Sequence, residues 1–196
     1  MLTLGRFQEI YKISKSDLED EEKMTEIVAC MSGMTVAEAE ALPYIDFNTK
    51  AREAKEILSA NIPETKPKKQ LAGWGITYEP ANLTRGQYVT VQHFMSGDPI
   101  ENAHLILASI SYDLKTKKHQ EDKHLEIAEK FQELDMADIL PSCVFFCQLF
   151  AASMKGLQNF LARELKKKGK NPKAVASLIN ALGGIITQNR LQTSRV

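Results

Sequence analysis

Cysteine and histidine are scarce in this chain, three and four among 196 residues, and neither occurs at a metal-binding spacing. Cys143 and Cys147 offer two thiols on one helical face, but no second Cys/His pair stands near to complete a tetrahedral set. His104 follows Glu101 by three, and His119 and His124 flank Glu121-Asp122, yet no HxxxH or HExxH pattern results. The His119/His124 pair is expected in a solvated loop. Phosphate-cradling loops are missing too: Gly73-Trp74-Gly75 is two glycines of a hairpin, and Gly169-Lys170 lacks the upstream glycine of a Walker loop. No serine sits in a Gly-x-Ser-x-Gly elbow. The apolar neighbours of Cys143 would raise its pKa and leave it unreactive. The expectation therefore names no catalytic, cofactor-binding or metal-ligating residue, and no enzyme.

An excess of charge of one sign is also lacking, with Lys+Arg and Asp+Glu both at 25, so no global field draws the protein to nucleic acid or an anionic membrane. The charges are clustered, however. Asp17-Leu18-Glu19-Asp20-Glu21-Glu22 is acidic; Lys66-Pro67-Lys68-Lys69, Lys115-Thr116-Lys117-Lys118 and Lys166-Lys167-Lys168-Gly169-Lys170 are basic. Such runs usually form solvated surface, although the basic ones admit contact with DNA phosphates. No signal-peptide pattern is read at the N-terminus. The longest apolar stretch, Ile139 to Met154, is interrupted by Pro141, Ser142 and Gln148. It falls short of the roughly 20 residues of a membrane span, so a core helix and no membrane partner are expected. An odd number of cysteines within apolar helical runs suits a reducing cytosol.

What the chain does have is a succession of helix-start signals. Leu4, Phe7, Ile10 and Tyr11 recur at helical spacing after Thr3. A second helix follows Ser16, with Met24, Ile27, Val28 and Met31 inward and Gly33 as a left-handed cap. Thr35 and Glu38 form a capping box for a short helix ending before Pro43. Asp46 is read as the cap of a longer helix with Phe47, Ala51, Ala54, Ile57 and Leu58 on its inner face. Thr84 and Gln87 make a second capping box, reinforced by Leu83 and Tyr88 on either side of the cap. Tyr88 to Val91 also favour a strand, but two agreeing cap signals outweigh that propensity. Asp98, Pro99 and Glu101 are read as a third box, opening a helix that is apolar nearly all round and so central. A polar loop, Asp113 to Glu121, precedes a helix carrying Leu125, Ile127, Ala128 and Phe131. A long helix follows from about Asp138 to Lys168.

Residues 61–70 hold two prolines and three lysines and read as a linker; residues 71–79 read as a small hairpin around Gly75. The fold class is thus mainly α: a compact multi-helix domain over 1–168 with a small β-hairpin insertion, followed by a helical appendage and tail over 169–196. Between Thr84 and Lys168 the apolar rods are expected to leave no polar pocket. Trp74 and Tyr78 on the hairpin, with Lys166, Lys167, Lys168 and Lys170 at the start of the appendage, are the candidate protein-interface residues.

Taken in order, several stretches resemble a family of helical virion and assembly proteins from Bacteroidetes-infecting, crAss-like phages. They are Arg6-Phe7-Gln8-Glu9-Ile10-Tyr11, Arg85-Gly86-Gln87-Tyr88-Val89, Ile100-Glu101-Asn102-Ala103-His104-Leu105-Ile106-Leu107-Ala108-Ser109 and Cys143-Val144-Phe145-Phe146. The layout is also similar to that of phage tail assembly chaperones. The resemblance spans about residues 3–160 and implies a noncatalytic role in the tail or neck, with other phage tail or neck proteins and further copies of the chain as partners. Two versions stay open: a virion ring, connector or packaged cargo component, and a cytoplasmic chaperone that leaves before the virion is complete. A helical nucleic-acid-binding protein is the third possibility.

Overall fold

The computed structural model describes residues 2–59 and 66–167. Among them are eight α-helices: α1 (Leu4–Lys15), α2 (Asp20–Ser32), α3 (Val36–Glu40), α4 (Tyr44–Ser59), α5 (Arg85–Ser96), α6 (Ala103–Ser109), α7 (His124–Gln132) and α8 (Met136–Lys167). A three-stranded antiparallel sheet, β1 (Gln70–Leu71), β2 (Trp74–Ile76) and β3 (Ser111–Asp113), is ordered β1-β2-β3. The mainly helical class with a small β insertion is as expected. The appendage over 169–196 and residues 61–65 of the linker lie outside the described residues.

The helix starts follow local chemistry. Thr3 accepts from the Arg6 N–H, and the Thr35/Glu38 and Thr84/Gln87 boxes are both closed. Gly33 ends α2 at φ 66°, the left-handed conformation that only glycine adopts without strain. Three starts differ from expectation. Helix α2 is opened by a Glu19/Glu22 box rather than directly after Ser16. Helix α4 begins at Tyr44, so Asp46 lies in its first turn, where its charge still favours the helix dipole. Asp98 caps only a single turn: its Oδ1 accepts from Ile100 and Glu101, and α6 proper starts at Ala103. The reason is tertiary. The Ile100 and Glu101 carbonyls are taken by Gln8 of α1, at 2.8 and 2.9 Å.

Helix α6 is the centre of the molecule, packing against α5, α7 and α8, with Ala103, Ile106, Leu107, Ala108 and Ile110 fully buried. Leu4, Val91, Ile127, Phe131, Ile139, Phe146 and Phe150 complete this main core. Helix α1 forms a wall between it and a second layer. Leu4 faces the main core, while Ile10 packs with Ile27 and Ala54 of α2 and α4. The chain around Leu4 is also tied to the α7–α8 corner, Leu4 N–H donating to Leu134 O and Met136 N–H to Leu2 O, both at 2.9 Å.

Helix α8 runs 32 residues and starts at Met136 rather than near Asp138, so Pro141 lies inside it, in the second turn, where its missing N–H leaves the Ala137 carbonyl without an i→i−4 donor. Its segment Met136–Gly156 is long and apolar enough to cross a membrane, by length and composition. That corrects the expectation of a stretch too short to span. One face of it, Ile139, Leu140, Cys143, Phe146, Phe150 and Met154, is buried in the main core.

The hairpin turn falls at Ala72-Gly73, not at Gly75, with φ 46° and 82°, both positive as a two-residue type I′ turn requires. Gly75 lies within β2 opposite Tyr112 of β3, and a Cβ there would run into the Tyr112 ring. The third strand was not expected; it covers the edge that a two-stranded ribbon would leave open. Ala72 is exposed and holds a conformation costing an L-residue about 1 kcal/mol. Ala72→Asn, creating the preferred Asn-Gly pair, should raise stability by about 0.5–1 kcal/mol in urea unfolding. A neutral or destabilising result would mean that the turn is not of this type.

Candidate functional site

Three surfaces qualify. The first surrounds the sheet, where Trp74 and Tyr78 were interface candidates and packing on the domain was the favoured expectation for Trp74. Trp74 is half-buried and packs against the main core, as does Tyr78. The Tyr78 hydroxyl donates to Lys68 O at 2.6 Å, and its ring meets Phe145 edge-on at 5.4 Å. Lys68 is itself bound to α8, its N–H donating to Ser142 Oγ at 3.1 Å and its ammonium pairing with Asp138 at 2.7 Å. Much of the chemistry of this edge is thus spent holding the sheet on α8. Among the other candidates, Lys166 and Lys167 lie in the last turn of α8, while Lys168 and Lys170 lie outside the described residues.

The second surface is a polar hollow of about 230 Å³ at the start of α5, lined by Thr84, Gln87, Thr90, His119, Glu121 and His124. It overturns the expectation of no polar pocket between Thr84 and Lys168. The cause is β3: by pairing with β2, it brings the 113–121 loop across the end of α5. Gln87 uses both ends of its amide, Oε1 accepting from Thr84 N–H and Nε2 donating to Ser109 O at 2.8 Å. His119 Nδ1 lies 2.9 Å from Ser111 O. His124 is not a solvated loop residue: its ring stacks on Phe94, and its Nε2 is buried without a protein partner. The hollow is polar and large enough for a water to meet that nitrogen. No three His, Cys, Asp or Glu side chains converge as a metal set among the described residues.

Behind this hollow His104 and His124 are held neutral. Burial, with the Lys12 ammonium and His124 nearby, pushes His104 down to about 4, and burial likewise lowers His124. The unfolded chain protonates such a histidine near pH 6.5, the folded chain only near the lower value. Stability is therefore complete above about pH 6.5 and is lost as pH falls toward 4. Discounted for partial exposure, the His104 share is on the order of 1–2 kcal/mol. Urea midpoints between about pH 7.5 and 4 should fall less steeply for His104→Gln than for the native chain. Parallel curves would remove His104 from the account.

The third surface is an open groove of about 830 Å³ between α2, α3 and α4. Its apolar lining includes Leu18, Val36, Ala39, Leu42, Tyr44 and Phe47. Tyr44 is 81% exposed and Val36 42%, and Ile45, next to Tyr44 in sequence, is 77% exposed, so large apolar side chains are left open to solvent here. Five carboxylates rim it, Glu19, Glu21, Glu22, Glu26 and Glu40, with no lysine or arginine among the lining residues. None of the five is in an ion pair among the described residues. The helix dipole accounts for Glu21 and Glu22 in the first turn of α2. It does not account for Glu26, and it opposes Glu40, the last residue of α3. The acidic half of this groove was visible in sequence only as a charge run. Its apolar floor was not, because three separate segments build it.

No protein-family model, curated protein or solved structure matches this chain.

Proposed function

We propose that this chain is a noncatalytic structural protein of a bacteriophage tail or neck, a ring, connector or packaged cargo component that works through protein–protein interfaces. The resemblance of its ordered motifs to crAss-like phage virion proteins suggests the setting. The observation that carries an interface role is the α2–α4 groove: an apolar floor left open to solvent, rimmed by carboxylates none of which is in an ion pair among the described residues. Exposed apolar surface of that kind marks a contact site. On this reading the protein resides in the virion and passes through the host cytoplasm during assembly.

The chaperone version draws on the same groove, which would then shield an apolar segment of a tail protein and release it. Mass spectrometry of purified virions separates the two. A stoichiometric amount of the chain in particles supports the structural role; its absence from particles but presence in infected cells supports the chaperone. Absence from both overturns the phage reading. DNA is the weaker partner, since Lys68 is engaged by Asp138 and Lys117 lies over the Tyr112 ring at 5.6 Å. A salt-titrated DNA-binding assay showing no salt-dependent affinity would retire it.

A further inference from the structure

The groove and the far end of the chain are complementary. From Lys166 onward the sequence carries Lys166, Lys167, Lys168, Lys170 and Lys173, then Val175, Leu178, Ile179 and Leu182 at helical spacing. Five cations followed by an apolar stripe are what a groove with an apolar floor and five carboxylates without a cationic partner among the described residues would accept. We infer that the α2–α4 groove is the docking site for residues 166–182 of a second copy of this chain.

Two observations favour a second copy over the chain's own segment. Among the α8 residues whose burial is described, Met154 is the last buried one, and the stretch Lys155–Lys167 continues the helix for about 20 Å more. It carries Phe160, 59% exposed, and exposed Asn159 and Arg163. The principal packing partners of α8 are α1, α6 and the turn at Pro80–Asn82, rather than α2, α3 or α4. The basic segment thus follows a stretch of helix whose described side chains are exposed, on an element that is not a main neighbour of the groove. A groove on one surface and a segment on another, joined between copies, make a head-to-tail contact. Such contacts continue from copy to copy until they close as a ring or run on as a filament.

This deepens the interface reading above but does not depend on the assembly being a virion. The test is a charge swap in the full chain, with association followed by sedimentation at several concentrations and salt levels. The groove variant is Glu21→Lys/Glu26→Lys/Glu40→Lys, which spares the Glu19/Glu22 cap. The arm variant is Lys166→Glu/Lys167→Glu/Lys168→Glu/Lys170→Glu. The native chain should self-associate, less so at high salt. Each variant alone should associate at least about tenfold more weakly, and an equimolar mixture of the two should regain association. Thermal melting of each variant close to native shows that the loss is not misfolding. A native chain that stays monomeric at every concentration overturns the proposal, because a segment folded onto its own groove gives that result. Native-like association by either variant, or a mixture that fails to recover, overturns it as well. None of these outcomes alters the virion measurement, so the two readings fail separately.

Discussion

Phe131→Ala should cost about 3–5 kcal/mol and bring the protein close to its unfolding threshold at 25 °C. Phe131 is fully buried on α7, in the same core as Ile106, Leu107, Phe146 and Leu4. Helix α7 has only nine residues, too few to be stable alone, and it holds its place through Ile127, Ala128 and Phe131. Truncation removes the transfer energy of a benzyl group and leaves a cavity that close-packed helices fill only in part. Because α7 also leads into the corner bonded to Leu2 and Leu4, the loss should reach α1. Urea unfolding followed by circular dichroism would show the midpoint shift. A change below about 1.5 kcal/mol would mean that the α6–α7 contact is not the tightly packed centre described.

Gln8→Met is the second large effect, about 2–3 kcal/mol despite nearly conserved volume. Gln8 is 3% exposed and lies where α1, α6 and α7 meet. Its Nε2 is 2.8 Å from Ile100 O, 2.9 Å from Glu101 O and 3.0 Å from His104 Nδ1, while its Oε1 accepts from Gln132 Nε2 at 3.2 Å. Methionine would fill the space but remove the two N–H groups shared among Ile100 O, Glu101 O and His104 Nδ1, and the oxygen that serves Gln132 Nε2; Ile100 O would keep the Ala103 N–H at 3.3 Å. Each stranded group costs about 1–3 kcal/mol, partly recovered by relaxation. Because the same amide faces His104, the variant should also change how stability depends on pH below about 6.5. A Gln8→Met protein as stable as the native chain would show that the network is not desolvated.

Both effects concern residues whose weight is invisible in one dimension. Gln8 is a polar residue on an amphipathic helix, and its spacing suggests nothing beyond that. Its burial follows from the approach of the Ile100–Glu101 turn, 92 residues away in sequence. The same approach explains the Asp98 cap: Asp98 captures two N–H groups as its chemistry demands, but Gln8 draws the next carbonyls aside and delays the helix to Ala103. Strand β3 was unreadable because three residues, Ser111-Tyr112-Asp113, carry no alternation long enough to detect. It exists because β2 presents an edge to it. The His119/His124 hollow is a consequence of that pairing and was missed with it. In the groove, Glu40 was the available signal, an acid at the end of a helix where the dipole disfavours it.

Local chemistry in the chain was enough to specify the helices α1, α3, α5, α7 and α8 and the central place of α6. Caps, left-handed glycines and apolar periodicity act within a few residues, so they can be read along the backbone. Where the helices pack, which polar groups are sealed between them, the third strand and the acidic groove were settled by contacts between distant segments. Those depend on three-dimensional approach, and no spacing along the chain encodes them.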